Sequence, residues 1–245
     1  MSKIVLNNLS IKFRAYHNTI PSLKEYFLNL FRKKKFSEHD DFWALNNISL
    51  EFSAGDYVGI IGRNGAGKST LLKTLCGVYQ PSSGTVHLEG RLAPLLEIGA
   101  GFHPEFTGRE NIYLNGAILG FNKKELNKIE PEVIKFAEII DFIDTPVKYY
   151  STGMYMRLAF SLATAMMPNI LVLDEIFAGG DVEFLSKAKK RMTELINHSD
   201  IMILVSHDHN LVRSLCNRVI WLDNGRLIMD GDPDSVINLY LKNLV

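Results

Sequence analysis

One segment of the sequence combines the residue types that hold a polyphosphate. Residues 62–70 form a glycine-rich loop that satisfies the pattern GxxxxGK[ST], with an apolar run before it and a helical pattern after it. Its members are Gly62, Arg63, Asn64, Gly65, Ala66, Gly67, Lys68, Ser69 and Thr70. The glycines let successive backbone N–H groups approach phosphate oxygens. Lys68 supplies positive charge to the β- and γ-phosphates, and the hydroxyl of Ser69 is a ligand for Mg²⁺. The loop therefore predicts a nucleoside triphosphate site.

Carboxylates and a histidine follow two other apolar runs. Residues 170–173 end directly in Asp174 and Glu175, and His207 comes shortly after residues 201–205. The carboxyl ends of parallel strands open onto the ligand crevice of an α/β sheet. We expect Asp174 to contact Mg²⁺, Glu175 to accept a proton from an attacking water, and His207 to contact the γ-phosphate. These residues predict hydrolysis of the terminal phosphate.

The elements that would position these residues alternate along the chain. Strand-like apolar runs cover residues 48–52, 57–61, 85–88, 170–173, 201–205 and 219–222, and helical patterns cover residues 68–75, 122–139, 182–196 and 209–215. This alternation predicts an α/β fold. Residues 105–168 contain no convincing strand, which predicts a mostly helical insertion into the α/β core.

A second interruption lies near the amino terminus. Apolar residues recur at helical spacing, at Ile20, Leu23, Phe27, Leu30 and Phe31, and four basic residues follow them. Such a helix suits the plane of a membrane surface or a groove in a partner. It suits equally well a helix packed on the protein's own core with a solvated basic end. The sequence leaves both interpretations open.

The composition narrows the class of protein. Lys plus Arg and Asp plus Glu number 27 each, and this zero net charge argues against binding nucleic acid through a broadly positive surface. The two cysteines, Cys76 and Cys216, predict buried thiols in a reducing compartment rather than a metal pair or a disulfide. No signal-peptide core begins the chain, and its longest apolar candidate, residues 158–167, stops at Pro168. We therefore expect no membrane-spanning helix.

A further motif gives the sequence a family resemblance. Residues 150–154 read Tyr-Ser-Thr-Gly-Met and resemble the signature motif LSGGQ, with Ser151 and Gly153 at its serine and second glycine. With this motif, the glycine-rich loop and the two adjacent carboxylates, nearly the whole chain resembles the nucleotide-binding subunit of ABC transporters. The resemblance implies a P-loop RecA-like ATPase core with an inserted helical subdomain and antiparallel N-terminal strands. It implies a single ABC ATPase domain over residues 1–245, with its core at 1–94 and 169–245, its helical subdomain at about 105–168 and an amphipathic helix insert at about 20–33.

In that family, two subunits enclose two ATP molecules head to tail. The resemblance therefore implies a homodimer that binds ATP and Mg²⁺. Ser151, Thr152 and Gly153 would close over the γ-phosphate held by the other copy. The resemblance also implies that Asp181 is the D-loop aspartate and that His207 is the switch histidine.

Two positions of the family pattern stay open. An aromatic residue usually stacks on adenine, and Trp43 is the candidate here, with Phe42 and Tyr16 as rivals. A glutamine usually touches Mg²⁺ between the two subdomains. The only Gln of this chain, Gln80, comes too early, and Glu97 is the candidate to replace it.

Residues 95–112 narrow the resemblance. This stretch, with residues 150–154, is similar to the bacterial exporters of lipid-linked polysaccharides, including O-antigen, capsule and teichoic-acid systems. The resemblance implies a peripheral ATPase at the cytoplasmic face of the inner membrane. It would work with an integral-membrane permease on a lipid-linked glycan, and without nucleic acid. Some members append a carbohydrate-binding domain, and we expect none here because a helical pattern at residues 234–244 ends the sequence.

Two other functions remain open. An ABC ATPase subunit for a drug, a lipid or a small solute would share these motifs. A soluble ABC-type ATPase that remodels ribosomes or DNA fits less well, because the chain has one GxxxxGKS and no extended heptads.

Overall fold

The computed structural model describes residues 2–16, 39–96, 98–174 and 182–244. The predicted amphipathic helix at about 20–33 lies outside these ranges, as do Glu97, Glu175 and Asp181. Among the described residues, no helix is both long and apolar enough to cross a bilayer.

Strands and helices alternate through the described ranges. The strands are β1 (Lys3–Tyr16), β2 (His39–Ser53), β3 (Tyr57–Ile61), β4 (Ser83–Glu89), β5 (Leu92–Leu95), β6 (Ile170–Asp174), β7 (Ile201–Val205), β8 (Arg218–Asp223) and β9 (Arg226–Gly231). The α-helices are α1 (Lys68–Leu75), α2 (Gly108–Ile118), α3 (Lys123–Ala137), α4 (Thr152–Ala163), α5 (Val182–His198), α6 (His209–Leu215) and α7 (Pro233–Lys242). This order confirms the predicted α/β fold.

A six-stranded sheet forms the centre, in the order β5-β6-β7-β3-β8-β9. Within this sheet, neighbouring strands pair in parallel along β5, β6, β7, β3 and β8. The last strand, β9, pairs antiparallel to β8. Residues of β6 pack alternately into two cores, with Val172 on one face and Leu171 on the other. A strand buried on both faces needs a continuous apolar sequence, which explains the run at 170–173.

A three-stranded antiparallel sheet, in the order β2-β1-β4, packs on one face of the central sheet. Its Ile4 and Phe52 share one core with Ile60 and Val172 of the central sheet. This packing carries β2 across the glycine-rich loop, because Gly67 lies against the backbone of Ala44.

Helices α2, α3 and α4 pack around a separate core that includes Ile112, Val133 and Leu158. Polar caps set where two of them begin. Thr107 and Glu110 form a capping box at the start of α2, and Asn122 and Glu125 do the same for α3. Each box satisfies two backbone N–H groups that a helix otherwise leaves without partners. Between residues 105 and 168 the structure contains only one isolated bridge, from Thr107 to Pro146, and no strand.

The structure corrects the sequence prediction at several strands. The run at 48–52 is the end of a longer β2, and β5 and β9 were not predicted. Strand β5 contains Pro94, which cannot donate a ladder hydrogen bond, and it forms because it occupies the sheet edge. The prediction of buried thiols is confirmed for Cys216, whereas Cys76 is only half-buried. Both cysteines are free, and burial raises the pKa of each to about 12.

Candidate nucleotide-binding site

A cleft of about 700 Å³ opens at the carboxyl ends of the parallel strands. It brings together most of the residues predicted from the sequence to bind or hydrolyse a nucleotide. Its lining consists of Phe13, Phe42, Trp43, Ala44, Asn64, Gly65, Ala66, Gly67, Lys68, Ser69, Thr70, Leu96, Asp174, Val205, His207 and Asn224. Segments far apart in sequence therefore meet at one place in the fold.

The glycine-rich loop owes its shape to its glycines. Gly62, Gly65 and Gly67 have φ angles of +152°, +79° and +102°, which side chains disfavour. Space is limiting as well, since a Cβ on Gly67 would lie 2.5 Å from the carbonyl oxygen of Ala44. A Cβ on Gly62 would lie 2.2 Å from the carbonyl oxygen of Leu222. The glycines therefore let the loop pack closely against β2 and β8 while it lines the cleft.

Lys68 stands at the first position of α1, and its ammonium is held inside the loop. Its side chain is only 8% exposed, and its Nζ donates hydrogen bonds to the carbonyl oxygens of Gly62 (2.8 Å) and Arg63 (3.0 Å). Those two residues thus act through their carbonyl oxygens, since neither lines the cleft. The positive charge and the N-terminus of α1 lie at the same end of the cleft, which suits an anion.

Two neighbouring strands place polar side chains opposite the loop. Asp174 ends β6, and His207 comes two residues after the end of β7. The two strands pair in parallel, with Asp174 in register with Val205, so both side chains leave the sheet at the same edge. The structure places Asp174 and His207 in the cleft with Lys68.

Ser69 and Asp174 are the described residues whose oxygens fit a magnesium ion. A hydroxyl and a carboxylate are hard oxygen ligands, and Mg²⁺ is usually held by one or two carboxylates together with substrate phosphates. No group of three or more potential metal ligands among His, Cys, Asp and Glu occurs in the described part of the chain. The residues present therefore suit an ion that arrives with a polyphosphate rather than a protein-only metal centre.

The other end of the cleft is aromatic. Trp43 is 45% exposed and Phe42 is 53% exposed, and both line the cleft. Phe13 lies 5.7 Å from Phe42 between ring centroids, and it was not predicted to belong to the site. It reaches the cleft because β1 and β2 pair Phe13 with Phe42. The side chain of Tyr16, the third candidate for stacking, lies outside the described residues.

The signature-like residues lie outside this cleft. Ser151 is the N-cap of α4, and its Oγ accepts a hydrogen bond from the backbone N–H of Met154 at 3.2 Å. Ser151 and Thr152 are exposed. Among the described residues, a Cβ on Gly153 would meet only the Oγ of Ser151, at 3.9 Å, so packing against them does not require a glycine there. These residues form an exposed helix start with hydroxyl and N–H groups, a suitable anion site.

Comparison with known proteins agrees with the prediction of a nucleotide-binding site. A family model described as ABC transporter matches residues 45–178. The chain is 42% identical over 243 residues to the O-antigen export system ATP-binding protein RfbB of Myxococcus xanthus, covering 98% of this chain and 56% of that protein. It is also 42% identical over 238 residues to the O-antigen export system ATP-binding protein RfbE of Yersinia enterocolitica, covering 96% and 99%. The teichoic acids export ATP-binding protein TagH of Bacillus anthracis is 38% identical over 97% of this chain and 42% of its own length.

Solved structures match the fold at lower identity. The dimeric structure of a post-hydrolysis state of an ATP-binding cassette bound to ADP and Pi superposes with a TM-score of 0.66 at 21% identity, covering 94% of this chain and 98% of that chain. The ATP-binding subunit of another ABC transporter superposes with a TM-score of 0.67 at 21% identity, covering 97% and 92%. These structures share the fold of this chain.

Proposed function

The chain belongs to the ABC transporter family, whose ATP-binding subunits hydrolyse ATP, and from this premise we propose that two copies of it drive the export of a lipid-linked polysaccharide of the O-antigen type. The observation that carries ATP binding and hydrolysis is the meeting of the glycine-rich loop, Asp174 and His207 in one cleft. The proposed cargo rests on the export relatives, one of which this chain spans over 99% of its length.

Several residues of the cleft have a part in the proposed reaction. The loop amides and Lys68 bind the triphosphate and neutralise its charge. Ser69 and Asp174, with Glu97 as a further candidate, would hold Mg²⁺, which adds charge neutralisation when it is bound. Trp43 or Phe42 would stack on adenine. Phosphoryl transfer asks mainly for positioning and charge stabilisation, and this donor set supplies both.

The proton of the attacking water goes to Glu175, which directly follows Asp174 in sequence. We assign it the role of general base, because it follows the carboxyl end of β6 at the cleft. The water oxygen then bonds to the γ-phosphorus while the bond to the β–γ bridging oxygen breaks. His207 would hold the water and the γ-phosphate in line. ADP and inorganic phosphate are the products.

The second copy supplies what one chain lacks in this proposal. Ser151, Thr152 and Gly153 are absent from the cleft of their own chain, and no described residue apart from Ser151 comes within 4 Å of a Cβ at Gly153. A homodimer with two-fold symmetry would bring these residues over the γ-phosphate of the partner copy. Asp181 would lie at the same interface as the D-loop residue.

Export also requires a route through the membrane, and the described residues contain no helix that could span it. We propose that an integral-membrane permease carries the glycan, and that this chain acts at the cytoplasmic face of the inner membrane. The basic amphipathic residues at about 20–33 would contact the lipid surface or the permease. Nucleic acid has no part in this proposal, in keeping with the zero net charge.

Reconstitution tests the proposed function. The chain and its permease are placed in proteoliposomes with an undecaprenyl-linked glycan, and ATP-dependent translocation is measured together with phosphate release. We expect translocation that needs Mg²⁺ and ATP. The Glu175→Gln variant should bind ATP, hydrolyse it very slowly and translocate no glycan. Hydrolysis by that variant at the unaltered rate would refute the assigned base. Transport of a drug or a small solute, with none of the glycan, would refute the cargo.

A further inference from the structure

We propose that Asn224 reads the adenine base of the bound nucleotide and gives this cleft a preference for ATP over GTP. Asn224 lines the cleft, although no motif pointed to it. The inference rests on the proposed nucleotide site. The loop residues of that site bind the phosphates, whereas Asn224 would discriminate between bases.

The turn that carries Asn224 is fixed against both ends of the cleft. It joins β8 to β9, and the N–H of Gly225 donates to the carbonyl oxygen of Ala66 at 3.0 Å. The carbonyl oxygen of Gly225 accepts from the N–H of Asn46 at 2.7 Å. Asn224 is therefore held between the glycine-rich loop and the strand that carries Trp43.

Close packing sets the turn beside the aromatic end. A Cβ on Gly225 would lie 2.6 Å from the carbonyl oxygen of Ala44, the residue after Trp43. The base of a nucleotide whose phosphates lie on the loop would point toward this aromatic end. Asn224 thus stands where the edge of the base would be.

The side-chain amide of Asn224 has a defined orientation. Its Nδ2 donates to Oδ2 of Asp223 at 3.0 Å. A carboxylate only accepts hydrogen bonds, so Nδ2 rather than Oδ1 must face Asp223. Oδ1 and the second proton of Nδ2 make no hydrogen bond to any other residue in the described ranges. The amide therefore offers one acceptor and one donor to a ligand.

Adenine matches this pair of groups, and guanine does not. The N6 amino group of adenine donates and has a ring-nitrogen acceptor beside it, and an asparagine amide can bond both at once. Guanine has the acceptor O6 at the same position. With the amide held by Asp223, Oδ1 would face another acceptor, and the guanine base would lose its hydrogen bonds.

The turn itself gives a simpler reason for an asparagine at this position. Asn224 has a φ of +45° and Gly225 a φ of +72°, and Asn-Gly is a favoured pair for a tight hairpin turn with positive φ. Asp and Gly also suit the first of these positions. The variants Asn224→Gly and Asn224→Asp therefore keep the turn and change only the groups presented to the base.

The experiment compares the binding of Mg-ATP, Mg-GTP and magnesium tripolyphosphate by calorimetry on the full chain. The wild type should bind ATP about five- to tenfold more tightly than GTP, the lower end of the range for paired base contacts. Asn224→Gly should abolish that preference. Asn224→Asp, which has lost the hydrogen-bond donor, should lower the ratio of ATP affinity to GTP affinity to one or below. Tripolyphosphate, which has no base, should bind the wild type and Asn224→Gly equally well.

Asn47→Gly is the matched control, because Asn47 is an exposed asparagine with a φ of +56° that does not line the cleft. It should keep the preference for ATP. A preference that persists in Asn224→Gly, or a wild type that binds both nucleotides equally, would overturn the role of Asn224 while leaving the ATP site intact. No ATP binding by the wild type would instead refute the proposed site.

Discussion

The ammonium group of Lys68 donates a hydrogen bond to the carbonyl oxygen of Gly62, 2.8 Å away at the other end of the same loop. A second bond, to the carbonyl oxygen of Arg63, holds the group from the same side. The positive charge is thus in place before a ligand arrives. A charge that needs little reorganisation on binding contributes more of its interaction energy to affinity.

Replacing Lys68 by Ala should weaken nucleotide binding itself. The variant loses a charge-assisted bond to the phosphates, worth about 1.5–3 kcal/mol, or about 10- to 150-fold in Kd. Calorimetric titration with Mg-ATP measures the change. Lys123→Ala, which removes an exposed lysine at the start of α3, is the control and should bind ATP normally. Equal affinities of the two variants would contradict the role of Lys68.

The sequence predicts the parts of this site that follow a local pattern. The glycine-rich loop is recognisable from its own residues. Asp174 and His207 are recognisable because a polar residue at or just after a buried apolar run lies at a strand end. Phe13 and Asn224 have no such signal. Phe13 enters through the register of β1 with β2, and Asn224 enters because its turn docks on Ala44 and Ala66.

The elements of the fold are likewise predictable only where a local sequence pattern marks them. Strands β3 and β7 and helices α1 and α6 match their predicted limits, because apolar runs or helical periodicity define both ends. Strand β5 could not be predicted, since Pro94 opposes a strand and only its place at the sheet edge permits one. In β9, exposed and half-buried residues alternate, so it lacks the continuous apolar run that marks β6 and β7.

Replacing Asn111 by Ala should destabilise the helical insertion. Asn111 is fully buried, and its Oδ1 accepts from the N–H of His103 at 2.7 Å. Its Nδ2 lies within 3.1 Å of the carbonyl oxygens of His103, Phe106 and Thr107. The variant removes these bonds and leaves the N–H of His103 without its partner, whereas the three carbonyl oxygens keep their backbone donors. We therefore expect the free energy of unfolding to fall by about 1–3 kcal/mol.

Urea unfolding followed by circular dichroism measures that loss. Asn127→Ala is the matched control, since Asn127 is exposed on α3 and accepts one hydrogen bond, from the hydroxyl of Tyr113. Its cost should stay below about 1 kcal/mol. A loss at Asn111 no greater than at Asn127 would show that the amide network adds little to stability.

Two capping carboxylates should make the stability of the helical insertion depend on pH. The backbone N–H of Thr107, followed by its hydroxyl, lowers the pKa of Glu110. The backbone N–H of Asn122, followed by the side chain of Arg91, lowers the pKa of Glu125. A carboxyl whose folded pKa lies below its unfolded value stabilises the fold above the unfolded value, and this stabilisation is lost as the pH falls through the folded pKa.

The unfolded value for Glu is about 4.3, so the melting temperature should fall as the pH is lowered from about 5 to 3. The double variant Glu110→Gln, Glu125→Gln keeps groups that can form both capping boxes but removes their titration. Its melting temperature should therefore depend less steeply on pH over that interval. The same slope in both proteins would assign the acid sensitivity to other carboxyl groups.

Ser151 allows the role of a helix cap to be separated from contact with a phosphate. Its Oγ caps α4 through the N–H of Met154. Ser151→Ala loses the cap, at a cost of about 1 kcal/mol in stability, whereas Ser151→Asp keeps one because Asp is among the best N-cap residues. If Ser151 contacts the γ-phosphate bound to the partner copy, the Asp variant should be stable and still lose most ATP hydrolysis through charge repulsion. Thr107→Ala, which removes the N-cap of α2, is the control and should keep its activity.

Mixing two inactive variants tests whether that contact crosses between copies. A dimer of one Lys68→Ala chain and one Ser151→Asp chain would have one site with both residues intact, and another with both altered. Neither variant alone can form an intact site. The mixed dimer forms one only if Ser151 acts on the nucleotide bound to the partner copy. Phosphate release should therefore reappear on mixing and reach its maximum near equal amounts, because mixed dimers are then most abundant. No recovery at any ratio, or full hydrolysis by Ser151→Asp alone, would place the action of Ser151 within its own chain or remove it from the reaction.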